Sequence, residues 1–225
     1  MIEPKNIIKC FKKNRIKFFS GVPDSTLKGF ITELMSEKGV ILRESVNEGN
    51  AVASAIGYNL TTSKIPLVYM QNSGLSNALN PILTLAEKKP LYSIPMVLLV
   101  GWRGTKGVSS ALNKKDEPQH SKIGPDTNKI LKALKFKTII LSKSSYKKQI
   151  KLACNYAKKN SCPVVILVKR RLVEMYEPKM KKTKLKYLRY DFLKILLKIA
   201  KKEKSSIVGT TGFSSREMYE IEEKG

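Results

Sequence analysis

Short apolar runs recur along the chain, and each is followed by a stretch whose apolar positions return every three or four residues. Runs at residues 16–22, 40–43, 66–70, 95–100, 138–141 and 163–168 read as strands. The intervening patterns predict helices over 25–35, 47–62, the segment from the polar turn 71–74 to about 88, 121–134 with a break near Pro125, and 144–159. Asp24 or Ser25 is placed to cap the first of these. The run at 95–100 is apolar without interruption, as expected of a central strand buried on both faces. Strands alternating with helices imply an α/β fold, a parallel sheet of about six strands with helices on both faces. Ligands of such sheets bind beyond the carboxyl ends of the strands. The polar segments 21–25, 45–49, 71–74 and 101–120 all fall at those ends. The irregular stretch 101–118 is long for a compact domain, and long loops are often functional.

The pattern changes after residue 170, so residues 1–170 are expected to form one domain. Residues 171–204 read as a basic linker, containing Pro178, followed by a helix over about 190–202. Residues 206–209 then read as a new strand, and Thr210-Thr211-Gly212 opens another helix. One strand and one or two helices cannot bury a core. Residues 205–225 are therefore expected to be the start of a second, truncated domain.

Composition narrows the class. The 225 residues are 42% hydrophobic, enough for one full domain with a sizeable core. No apolar run is long enough to span a bilayer, and the N-terminus has no signal-peptide core. The three cysteines are odd in number and lack metal-ligand spacing, which points to a reduced, cytoplasmic setting. The net charge of +25 suggests a polyanion partner when taken alone. Its distribution points elsewhere: arginines are few and lysines are dispersed over nearly every predicted helix, as in solvated lysine faces. Residues 169–204 are the exception, with 14 Lys/Arg against 4 Asp/Glu.

Four segments carry candidate chemistry. Glu48 stands where an apolar strand gives way to a helix of small residues, Ala51, Ala53, Ser54, Ala55 and Gly57. A carboxylate there suits a group that holds or shares one proton, although the helix macrodipole alone would also favour it. The turn Gly21-Val22-Pro23-Asp24-Ser25 is either a capped β-turn or a loop offering a hydroxyl and a carboxylate to a substrate. Residues 71–78, including Asn72 and Ser73, gather more amides and hydroxyls at a strand end than one cap needs. Residues 116–120 hold the sole histidine, His120, after Gln119, with Arg103 earlier in the same loop; this histidine is either structural, exposed or a proton shuttle beside an anionic substrate. No phosphate-binding glycine motif and no metal-ligand spacing stands out.

Taken in order, GVPDS, VNEGNAVASAIGYNL, MQNSGLSNALNP, WRGTKG and DEPQH resemble the N-terminal pyrimidine-binding domain of the phosphonopyruvate decarboxylases, thiamin-diphosphate enzymes close to sulfopyruvate decarboxylase. The resemblance covers roughly residues 15–170 and resumes at IVGTTGFSSREMYE. It implies a carboxy-lyase that decarboxylates a 2-oxoacid bearing a phosphonate, phosphonopyruvate to phosphonoacetaldehyde and CO₂. Glu48 would meet the pyrimidine ring nitrogen of thiamin diphosphate, and the cofactor would accept the electrons released as CO₂ leaves. Asn72 and Ser73 map to the ligand-facing strand end, Asp24 and Ser25 to a substrate-facing turn, and Gln119 and His120 to the active-site loop. The family often has a small residue at the position of Asp24. By charge, Arg103 and His120 suit a phosphonate or carboxylate. The Gly-Asp-Gly motif and the asparagine that hold Mg²⁺ in the diphosphate-binding half are absent from this sequence. The resemblance therefore implies a partner: a homo-oligomer or a separate chain carrying that half, without which this chain is expected to be inactive. The alternatives are an alpha-type subunit of a two-chain sulfopyruvate decarboxylase, a non-catalytic binding module, and a basic nucleic-acid-binding protein.

Overall fold

A computed structural model describes residues 1–88, 91–105, 120–175, 186–210 and 212–224. All six predicted strands of the first domain form: β1 (Phe18–Gly21), β2 (Ile41–Glu44), β3 (Leu67–Gln71), β4 (Met96–Trp102), β5 (Lys137–Ile140) and β6 (Pro163–Lys169). They make one sheet in the order β2-β1-β3-β4-β6-β5, with every pairing parallel. The longest strands, β4 and β6, are central and buried along almost their whole length, as their unbroken apolar sequences require. The edge strand β2 is largely exposed and carries Arg43 and Glu44.

The period-2 alternation of each strand divides the core in two. Phe19, Leu67, Tyr69, Val97, Leu99, Val164 and Ile166 face one layer, made of α1 (Pro4–Lys13), α2 (Lys28–Ser36) and α6 (Tyr146–Asn160). Phe18, Val68, Met70, Leu98, Val100, Val165 and Leu167 face the other, made of α3 (Glu48–Thr62), α4 (Leu75–Pro81) and α5 (His120–Ala133). Helix α1 was not among the predicted elements. Its signals are nonetheless local: Pro4 at its start, Ile7, Ile8 and Phe11 on one buried face, and Lys12 and Lys13 in the last turn.

Three expectations need correction. The helix from the polar turn to 88 is in three pieces: a 3₁₀ turn, Asn72–Gly74, then α4, then a π-helical turn, Ile82–Ala86. Pro81 lies at that change, where its missing N–H breaks the α ladder. Pro125 does not break α5: it lies inside the helix, which continues through it with the loss of one backbone bond. Residues 206–209 do not form a strand. A strand needs a neighbour to take its backbone bonds, and among the described residues none pairs with this segment.

The chain divides into two compact units, Met1–Pro178 and Lys179–Gly225. The first extends past the expected limit at 170 because Ile2 bridges Val173, with Ile2 N donating to Leu172 O at 2.7 Å and Glu174 N to Ile2 O at 2.9 Å. The second contains α7 (Arg189–Lys202) and α8 (Phe213–Lys224), joined by the paired guanidinium and carboxylate of Arg189 and Glu217. It keeps Phe192, Ile195, Ile199 and Val208 exposed. No helix among the described residues is long and apolar enough to cross a membrane.

Candidate active site

The chain leaves β1 through α2 toward one face of the sheet, and leaves β3 through α4 toward the other. A crevice opens where consecutive connections diverge in this way, at the carboxyl ends of the strands. Asp24, Ser25, Glu48, Asn72, Ser73, Arg103 and His120 all sit on segments that follow the carboxyl ends of β1, β2, β3 and β4.

Glu48 is the first residue of α3. Asn47 caps the helix by accepting from Asn50 N at 2.9 Å, which fixes the first turn and the direction in which Glu48 leaves it. The carboxylate is turned inward, 9% exposed, and lies against the bare backbone of Gly74. A methyl group at Gly74 would stand 2.6 Å from Glu48 Cγ and nearer still to the carboxylate carbon and oxygen. Asn77 Nδ2 donates to Glu48 Oε2 at 2.9 Å. The carboxylate thus has a seat, a fixed donor on one oxygen and the positive end of α3 behind it.

A second group forms around the end of β4. Asn72 Oδ1 accepts from Arg103 N at 3.2 Å, and Asn72 Nδ2 donates to Arg103 O at 3.2 Å and to Thr127 Oγ1 at 2.9 Å. The residue is fully buried. Its amide is engaged inside the protein and fixes the strand end. The same clamp holds the base of Arg103, whose Nη1 donates to the exposed Ser25 hydroxyl at 3.4 Å. Asp24, 5% exposed, caps the turn by accepting from Leu27 N at 3.1 Å. Its carboxylate packs on Gly101 of β4, where a methyl would also stand 3.0 Å from Thr26 Cβ. Ser73 is exposed and accepts from Gln71 Nε2 at 2.6 Å.

His120 begins α5 and is 5% exposed. Trp102 Nε1 donates to Gly124 O at 2.7 Å, drawing α5 onto the end of β4. Gly104, with φ of +74°, and Gly124 meet backbone to backbone: a methyl on Gly104 would stand 3.0 Å from Gly124 Cα. Gln119 lies outside the described residues. Among the described residues no group of three His, Cys, Asp or Glu could hold a metal ion.

Comparisons with known proteins bear on the fold and the family. A model of the thiamine pyrophosphate enzyme N-terminal TPP binding domain matches residues 5–127. The chain belongs to the thiamine pyrophosphate enzymes. All eight expected site residues lie inside the matched region. Phosphonopyruvate decarboxylase of Streptomyces viridochromogenes is 35% identical over 112 residues, 50% of this chain and 26% of that protein. The chain thus spans about a quarter of the length of that relative. Sulfopyruvate decarboxylase subunit alpha of Methanocaldococcus jannaschii is 28% identical over 163 residues, 72% of this chain and 89% of that subunit. The crystal structure of benzoylformate decarboxylase from Polynucleobacter necessarius shares the fold with a TM-score of 0.60 at 19% identity, over 88% of this chain and 36% of that one.

The sequence reading of this thiamine pyrophosphate enzyme domain missed four residues that build the site. Gly74 and Asn77 were inside the quoted amide-rich segment, but only their distance from Glu48 in the fold gives them a role. Thr127, which passes Asn72's bond on to Ile123 O at 2.6 Å, and Gly124 carried no sequence signal.

Proposed function

We propose that this chain supplies the pyrimidine-binding half of a thiamin-diphosphate-dependent 2-oxoacid decarboxylase whose substrate ends in a tetrahedral anion, phosphonopyruvate first. The observation that carries the reading is Glu48: a carboxylate that is nearly buried, seated on Gly74 and held by Asn77 at 2.9 Å. Such a group fits a cofactor ring nitrogen, because it can accept and return one proton at a stated place without reorganising. When bound, the cofactor supplies the electron sink for the pair left as CO₂ departs. Glu48 would hold the proton shared with the pyrimidine ring. Arg103, fixed at its backbone by Asn72, would offer its guanidinium to the phosphonate, and Ser25 its hydroxyl, from the wall opposite. Asp24 shapes that wall rather than binding an anion, since its carboxylate is turned onto Gly101 and Leu27 N.

Mg²⁺ and the diphosphate would be held by a second half, in a partner subunit or chain. A metal group is not found among the described residues of this one. The 89% cover of a sulfopyruvate decarboxylase subunit alpha favours, as the second reading, an alpha-type subunit working with a separate partner. The unit Lys179–Gly225, beyond the expected pyrimidine-binding region, favours the phosphonopyruvate-type arrangement.

The test is decarboxylation of phosphonopyruvate and of sulfopyruvate with Mg²⁺ and thiamin diphosphate, by this chain alone and with a diphosphate-domain chain supplied. We expect activity only with the second half present, and loss of at least about a hundredfold in Glu48→Gln. Glu48→Gln turning over like the parent sinks the proposal.

A further inference from the structure

We propose that Asn77 is a positioning residue for Glu48: its side-chain amide holds the carboxylate in the one orientation that the bare backbone of Gly74 leaves room for. The inference rests on the role given to Glu48 above and adds the group that sets its geometry.

A glutamate in the first turn of a helix ordinarily turns its long side chain to water. Glu48 does not; it is 9% exposed. Its own helix supplies no donor that pulls it inward, since the Asn47 cap is turned to Asn50 N. The donor comes from α4, 29 residues on, as Asn77 Nδ2 to Oε2 at 2.9 Å. A carboxylate accepts at both oxygens, so Oε2 is anchored while Oε1 keeps accepting capacity for a ligand proton. The backbones set this distance. A methyl at Gly49 would stand 3.1 Å from Asn77 O, so the first turn of α3 and the turn of α4 that carries Asn77 already meet. Asn77 is otherwise unexplained by folding: it is exposed, lies inside a helix, and asparagine is a poor helix former. Packing and local propensity do not require it, whereas the carboxylate does.

The first measurement uses the full chain without cofactor. The Asn77 side-chain amide resonances in an ¹H–¹⁵N spectrum should move in Glu48→Gln, and the unfolding losses of Asn77→Ala and Glu48→Gln should combine to less than their sum. The second uses the assembly that turns over phosphonopyruvate or sulfopyruvate. Asn77→Ala should lower kcat by roughly tenfold or more, the size of one charge-assisted hydrogen bond, with KM within about twofold. The exchange Glu48→Gln with Asn77→Asp reverses donor and acceptor; it should recover stability but not kcat, whereas a purely structural pair would recover both. Amide resonances unmoved by Glu48→Gln, with additive unfolding losses, overturn the inference. So does Asn77→Ala with full kcat while Glu48→Gln is inactive. Glu48→Gln with full kcat instead removes the role assigned to Glu48 and leaves the amide result to stand by itself.

Discussion

Gly74→Ala separates the seat of Glu48 from the stability of the fold. Gly74 has φ of −77° and ψ of −8°, which alanine adopts without strain. Replacing glycine at such a position stabilises by about 0.4–1 kcal/mol through the unfolded chain. Against this, the new methyl would stand 2.6 Å from Glu48 Cγ, and nearer the carboxylate, so the glutamate must leave its seat and the bond to Asn77. That bond is to an ion but lies at a partly exposed asparagine, so its loss costs about 0.5–1.5 kcal/mol. The net change is within about 1 kcal/mol, a shift of a few degrees in Tm for a chain of this size. Function should respond far more, because a misplacement of about 1 Å costs on the order of a hundredfold. The assay pairs thermal unfolding of the chain with kcat/KM of the complemented enzyme. Wild-type kcat/KM in Gly74→Ala would refute the reasoning, since it would mean that the carboxylate need not occupy this seat.

Two further substitutions test the frame around the site. Trp102→Phe removes the 2.7 Å bond to Gly124 O that ties α5 to the end of β4, so urea unfolding followed by circular dichroism should show a loss of about 0.5–1.5 kcal/mol. Tyr69 is fully buried across Gly21, and its hydroxyl has no hydrogen-bond partner among the described residues. Burial, with the Glu44 carboxylate adding to it, pushes its phenol up to about 12. The unfolded chain would release this proton near pH 10 and the folded chain only near 12, so the stability it contributes is whole below pH 10 and is lost as pH rises toward 12. Tyr69→Phe should be neutral or slightly stabilising at pH 8 and should lose less stability than the parent between pH 10 and 12. Equal losses in the two proteins would contradict the buried, unpartnered phenol.

Periodicity alone determined the architecture. Six apolar runs separated by helical patterns are a parallel sheet almost by necessity, because strands such as 95–100 and 163–168 have no polar face to give to water. The same reading pointed to a candidate site, since connections after parallel strands emerge at one end, and it singled out Glu48 as a carboxylate misplaced for packing. It could not read residues 206–209, which have strand composition but, among the described residues, no neighbouring strand to complete them. It also could not tell which of the amides at 71–78 serves the carboxylate. Asn72 and Asn77 are the same residue type a few positions apart, yet one faces inward to the Arg103 backbone and Thr127 while the other reaches Glu48. That difference arises from the turn of backbone between them and from where α3, α4 and α5 come to rest on the sheet. Those are long-range distances, set by packing between residues up to 55 positions apart, and no local pattern of side chains encodes them.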